Sequence, residues 1–149
     1  MGLESEFIVR LAVAAILGSL LGLERSLAGK HAGMLTYAMV SLGSCLFVVV
    51  GTLSALQLSM FSGLDPIRIA SSIVIGIGFI GAGLSALRGE HPELTTASGI
   101  WVAAGVGMAA GFGFIAVAVS SVIIGLIVFW MFAKLEHRMS ERYGIKHEG

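Results

Sequence analysis

The side chains of this sequence that can carry chemistry gather in two short polar stretches: Glu24, Arg25, Lys30, His31 and Thr36, then Arg88, Glu90, His91, Glu93, Thr95 and Thr96. Glu24 with Glu90 or Glu93 offers the one or two carboxylates by which proteins hold a magnesium ion that keeps several of its waters. A structural account fits the same residues: Glu24–Arg25 as an interfacial ion pair, Glu93 as an acid in a helix's first turn, Thr95 or Thr96 as a cap. Magnesium is thus a candidate ligand, and no cofactor is indicated. His31, His91, His137 and His147 lack metal-ligand spacing such as H-x-x-x-H. With no Walker loop, G-x-S-x-G elbow or Cys–His pair in view, the chain reads as something other than an enzyme.

The elements that position these side chains cross a membrane. Of 149 residues, 56% are hydrophobic and 12% charged, with a mean hydropathy of +0.96; an ordinary soluble domain has about 25% charged residues. The apolar blocks run Phe7–Leu23, Met34–Leu58, Ile67–Leu87 and Ala97–Ala133. A helix crosses the hydrocarbon layer of about 30 Å in about 20 residues. The last block would extend to about 55 Å, enough for two crossings. Gly111-Phe112-Gly113 is the strong breaker near its middle, since glycine tolerates the positive φ of a tight turn. The expected fold class is all-α, a polytopic membrane helix bundle. Its five spans are Phe7–Leu23, Met34–Leu58, Ile67–Leu87, Thr95–Ala110 and Phe114–Ala133, in a transmembrane domain (1–133) with a short charged tail (134–149). The alternative has four crossings, with Ala97–Gly113 as a re-entrant or half-buried segment.

Positive charge sets the orientation. Arg25 and Lys30 follow the first span, Arg88 the third, and Lys134, Arg138, Arg142 and Lys146 the last. Five crossings put all of them on one side, so the amino terminus is expected outside and the tail in the cytoplasm. A four-crossing chain would place the tail beside acidic Glu4 and Glu6. The amino terminus lacks both a basic region and an A-x-A-like site, so the first span is expected to stay in the protein. Nine Lys and Arg balance nine Asp and Glu, which leaves no basic surface for nucleic acid. The single cysteine, Cys45, lies in an apolar run and reads as a small buried hydrophobe.

Lipid offers no hydrophobic drive for helices to associate, so they pack through small residues. Ala14, Gly18 and Gly22 make one stripe in the first span, and Gly99, Ala103, Gly107 and Gly111 another in the fourth. The third span is the densest in glycine, with Gly76 and Gly83 on one face and Gly78 and Gly81 on another. It is therefore expected to be the central helix, either packed on two sides or unwound so that backbone carbonyls face an ion. These stripes also suit a second copy or another membrane protein. Before the third span, Asp65 reads as an N-cap and Pro66 as the first helical residue. Arg68 and Arg10, each about a turn inside the outer surface, can snorkel to it and together attract an anion or a partner's carboxylate.

The two polar stretches match weakly. Gly29-Lys30-His31 and Leu35-Thr36-Tyr37-Ala38 align with Gly89-Glu90-His91 and Leu94-Thr95-Thr96-Ala97, and Leu17-Gly18-Ser19 with Ile80-Gly81-Ala82. A duplication would make two helix hairpins of the same orientation about an axis along the membrane normal, with the fifth helix added; chance similarity in so biased a composition is the other reading.

Three blocks together resemble the MgtC/SapB family of bacterial membrane proteins: Gly18–Arg25 with Gly29–Thr36; Asp65–Ala70 with Gly76–Gly83; and Leu94–Ala97 with Gly99–Ala104. The resemblance covers the first four spans. It implies a protein of the bacterial cytoplasmic (inner) membrane linked to magnesium homeostasis and growth at low magnesium, and in pathogens to survival inside host cells. Longer members carry a soluble domain after the last helix, where this sequence has Lys134–Gly149. Two functions follow as expectations. One is a noncatalytic regulator or accessory factor that binds a partner helix or another copy through its glycine faces. The other is an oligomeric channel or transporter for an ion or small solute, with the carboxylate cluster at its inner mouth.

Overall fold

A computed structural model of the protein describes residues 3–57, 65–86 and 94–143. These residues form helices α1 (Leu3–Leu27), α2 (Met34–Gln57), α3 (Pro66–Ala86), α4 (Leu94–Gly111) and α5 (Ile115–Tyr143). All five are long and apolar enough to cross a membrane. Two extend beyond their apolar blocks: α1 takes in Glu6 and Arg25 at its ends, and α5 continues to Tyr143. Charged residues at the water interface do not interrupt helical hydrogen bonding.

Local chemistry ends and starts these helices. At the end of α1, Gly29 adopts a φ of +68°. Its N–H donates to the Ser26 carbonyl and that of Lys30 to the Arg25 carbonyl, the paired bonds of a Schellman cap. Ser26 Oγ then accepts from the Met34 N–H at 2.9 Å, capping α2. The same device closes α4, where Gly113 has a φ of +85° and Phe114 N–H donates to the Ala109 carbonyl. The Gly-Phe-Gly turn therefore separates two helices, as its glycines require. Asp65 Oδ1 accepts from the Ile67 N–H at 2.9 Å and so caps α3.

The centre of the bundle is α4, and the expectation that the third span is central is overturned. Helix α4 packs against all four other helices, whereas α3 touches α2 and α4 alone. Half of the α4 span is buried, against 6% of the α3 span. The reason lies in how the glycines are distributed. In α4, Gly99, Gly107 and Gly111 line one face, which α2 fills, while Gly105 is open. A Cβ on Gly107 would overlap the Ser41 carbonyl, and one on Gly111 would lie 2.8 Å from Val48 Cβ. In α1, a Cβ on Gly18 would come within 2.6 Å of Ser41 Cβ and the Tyr37 carbonyl, and one on Gly22 within 2.6 Å of Met34 Cα. The α3 glycines are spread around the helix: Gly76, Gly78 and Gly83 have nothing within 4 Å of a Cβ position, and Gly81 alone meets a neighbour, Ala97 Cβ at 3.5 Å. Helix α3 is also unbroken from Pro66 to Ala86, so the unwound alternative does not hold.

Some of the aligned positions make comparable contacts. Gly18 packs on Ala38 and its aligned residue Gly81 on Ala97, the position aligned with Ala38. Tyr37 and its aligned residue Thr96 touch each other, Tyr37 Oη donating to the Thr96 carbonyl at 3.4 Å. The α1–α2 pair is nonetheless much closer than the α3–α4 pair.

A single methyl group separates the two classes of glycine. Gly107→Ala should destabilise the protein by about 1–3 kcal/mol, the usual cost of overpacking. Gly76→Ala should be neutral or gain up to about 1 kcal/mol of helix propensity. Thermal unfolding of the purified protein in detergent measures both.

Candidate functional site

The first polar stretch is built around a buried charge. Arg25, near the end of α1, is 4% exposed. Its Nε donates to Glu24 Oε2, and its guanidinium lies 3.9 Å from the ring centroid of Phe129 on α5. A desolvated cation needs both contacts, because the paired carboxylate and the negative face of the ring replace the water it has lost.

Glycine makes the room. A Cβ on Gly99 would overlap Tyr37 Oη and lie 3.0 Å from Phe129 Cζ. Fully buried Tyr37 also contacts Gly22, where a Cβ would come within 2.8 Å of its own. Gly22, Tyr37, Gly99 and Phe129 thus carry the packing of α1, α2 and α4 out to the ring that holds Arg25. Sequence reading missed both aromatic residues. The one signal present was the alignment of Tyr37 with Thr96.

Beside Arg25 a groove of about 1040 Å³ opens between α1, α4 and α5, lined by Arg25, Lys30, Thr95, Ser98 and Ser121 and by apolar residues of α4 and α5. Lys30 is exposed, and its ammonium has no acidic partner among the described residues. Thr96 is buried and is not part of this lining, while His31 and Thr36 are exposed outside it. Of the expected cluster, the structure therefore gathers Glu24, Arg25, Lys30 and Thr95 at one end of the bundle. Arg88, Glu90, His91 and Glu93 lie outside the described residues. Glu24 is engaged by Arg25, and no group of three or more His, Cys, Asp or Glu comes together among the described residues.

At the opposite end the two arginines do not act as a pair. Arg10 Nη1 donates to the Gly111 carbonyl at 2.9 Å, and Nη2 pairs with Glu6 one turn away. Arg10 therefore caps the last turn of α4, where the dipole favours a cation, and a Cβ on Gly113 would come within 2.9 Å of it. Arg68 is exposed and lines a separate groove of about 640 Å³ between α2 and α3.

The buried pair generates an asymmetric prediction. Glu24→Ala leaves Arg25 uncompensated and should cost about 3–5 kcal/mol. Replacing both, as Glu24→Gln with Arg25→Met, should recover most of that loss, because Met fills the space without a charge. Thermal unfolding in detergent, with the double variant beside each single one, measures the recovery.

Comparison with known proteins places this architecture in context. The model of the MgtC family matches residues 11–138. Over 144 residues the chain is 40% identical to "Putative magnesium transporter YhiD" of Escherichia coli K12, covering 94% of this chain and 66% of that protein. It is 33% identical to "Protein SapB" of Bacillus subtilis, covering 84% of this chain and 56% of that one. To "Protein MgtC" of Salmonella typhimurium LT2 it is 38% identical, covering 79% of this chain and 48% of the relative. The chain thus spans about half to two-thirds of the length of these relatives. No solved structure matches it.

Proposed function

The chain belongs to the MgtC family, and from that premise we propose that it is a noncatalytic regulator or accessory factor of magnesium homeostasis in the bacterial inner membrane. It lies there with its amino terminus outside and its tail in the cytoplasm. The magnesium link comes from the relative named as a putative magnesium transporter. The regulatory role rests on one observation: the interior is closed by backbone contact. Where α1, α2 and α4 meet, even a methyl group on Gly18, Gly107 or Gly111 has no space, so no water-filled path runs between them.

The same closure decides which surface a partner would use. Gly18, Gly22, Gly99 and Gly107 are occupied inside the chain and are not available to another helix, which corrects the expectation that those stripes recruit a partner. Helix α3 keeps Gly76 and Gly83 open. Either a second copy or a helix of another membrane protein can approach it closely there.

The second reading, an oligomeric transporter of an ion or small solute, draws on the name of the Escherichia coli relative. Its pathway would run between copies, not through one.

Gly76→Leu with Gly83→Leu tests the regulatory reading in a bacterium lacking its own copy. These changes should leave insertion and thermal stability unchanged yet abolish the rescue of growth at low magnesium. Full rescue by the stably inserted variant would overturn α3 as the working surface.

A further inference from the structure

The groove between α1, α4 and α5 is amphipathic along its length. At its mouth stand Arg25 and Lys30, the only charged residues of its lining among those described, followed by the hydroxyls of Thr95 and Ser98. Beyond them the walls are largely apolar, with Val102 on α4 and Val128 on α5, and Ser121 of α5 adds one further hydroxyl. Glu24 balances Arg25 through its Nε, and among the described residues nothing accepts from its Nη atoms. Among the described residues Lys30 therefore leaves the mouth with one uncompensated positive charge, and the Schellman cap bonds its N–H to the Arg25 carbonyl. The amino terminus of α4 begins at Leu94 on the same rim and adds the positive end of its dipole. Cations and hydroxyls at the membrane interface above an apolar trough complement one kind of molecule already present in the bilayer.

We propose that this groove is a binding site for an anionic phospholipid, whose phosphate sits between Lys30 and Arg25 and whose acyl chain lies along Val102 and Val128. The phosphate accepts from the Lys30 ammonium, the Arg25 Nη atoms and the rim hydroxyls. These charge-assisted bonds discriminate against a zwitterion, whose own cation competes for the phosphate. The chain segment displaces no packed side chain, because the groove is open to lipid along its side. The site does not depend on the regulatory reading: it would serve equally to fix the protein's depth and partner surface or to hold a transporter's gate.

The test is lipid retention in native mass spectrometry, using the full chain released from nanodiscs that contain equal amounts of phosphatidylglycerol and phosphatidylcholine with the same acyl chains. The wild type should retain phosphatidylglycerol preferentially. Lys30→Gln, a change at an exposed residue, should reduce that retention about fivefold, the effect of one basic residue at an anionic surface. Arg68→Gln, at the other end of the bundle, should leave it unchanged. Val102→Trp, which fills the trough and spares the charges, should reduce retention as well. Equal retention of the two lipids, or an unchanged preference in Lys30→Gln, would overturn the site. If Val102→Trp retains the lipid fully and inorganic phosphate competes it away at millimolar concentration, the groove is an anion site without an acyl trough, and the lipid proposal is wrong.

Discussion

Everything in this bundle depends on how closely two backbones can approach one residue of α2. Ser41 is completely buried, its Oγ donates to the Ala14 carbonyl of α1 at 2.8 Å, and its own carbonyl lies where a side chain on Gly107 of α4 would be. Lipid tails are as apolar as the helices, so burying a leucine against another helix gains little over leaving it in lipid. What does distinguish the packed state is dispersion at short range and the hydrogen bonds that short range permits. Glycine and alanine on α1 and α4 create that range, and Ser41 uses it on both sides. Helices α3 and α5 attach to this three-helix unit without such intimacy, and most of their apolar side chains remain exposed to the surrounding lipid.

The buried Arg25 is a consequence of that unit. A guanidinium at the edge of the hydrocarbon is costly unless its charge is compensated. Here Glu24 supplies the counter-charge and Phe129 the stacking surface, and Phe129 can reach Arg25 because Gly99 has no side chain. The chain of contacts from Ser41 through Tyr37 and Gly99 to Phe129 joins the tightest packing in the protein to the polar end where the charges collect. A change at Gly99 would therefore reach the Arg25 environment without touching a charged residue. The amphipathic groove on the outer side of Arg25 is bounded by the same residues, so its shape is inherited from the packing.

Much of this was legible in the sequence, for reasons that can be named. Hydrophobic length gave the spans, and Gly111-Phe112-Gly113 divided the longest block because a left-handed Gly113 ends a helix sharply. Asp65 followed by Pro66 marked the start of α3. The α4 stripe was visible as small residues at every fourth position. Its centrality was hidden, since glycine density drew attention to α3 instead. A stripe stabilises only where a neighbour's ridge enters it, and the neighbour's shape is absent from the stripe's own sequence. Arg10 was misread for a related reason: its partner, the Gly111 carbonyl, lies 101 positions away, and its nearest-neighbour pattern shows only a snorkelling arginine. The expected meeting of Glu24 with Glu90 or Glu93 concerns residues of which two lie outside the described part, while Glu24 itself is turned to Arg25.

The proposed regulatory role joins the closed interior to the open glycines of α3. The most direct measurement is magnesium entry into liposomes containing the purified, folded protein, compared with protein-free liposomes and with the Glu24→Gln, Arg25→Met double variant, whose packing should be preserved. A regulator with this packed core predicts entry no faster than in the protein-free liposomes at any protein density. Entry that rises with protein density and is lost in the double variant would contradict that reading and make the Glu24–Arg25 end part of a conduction path.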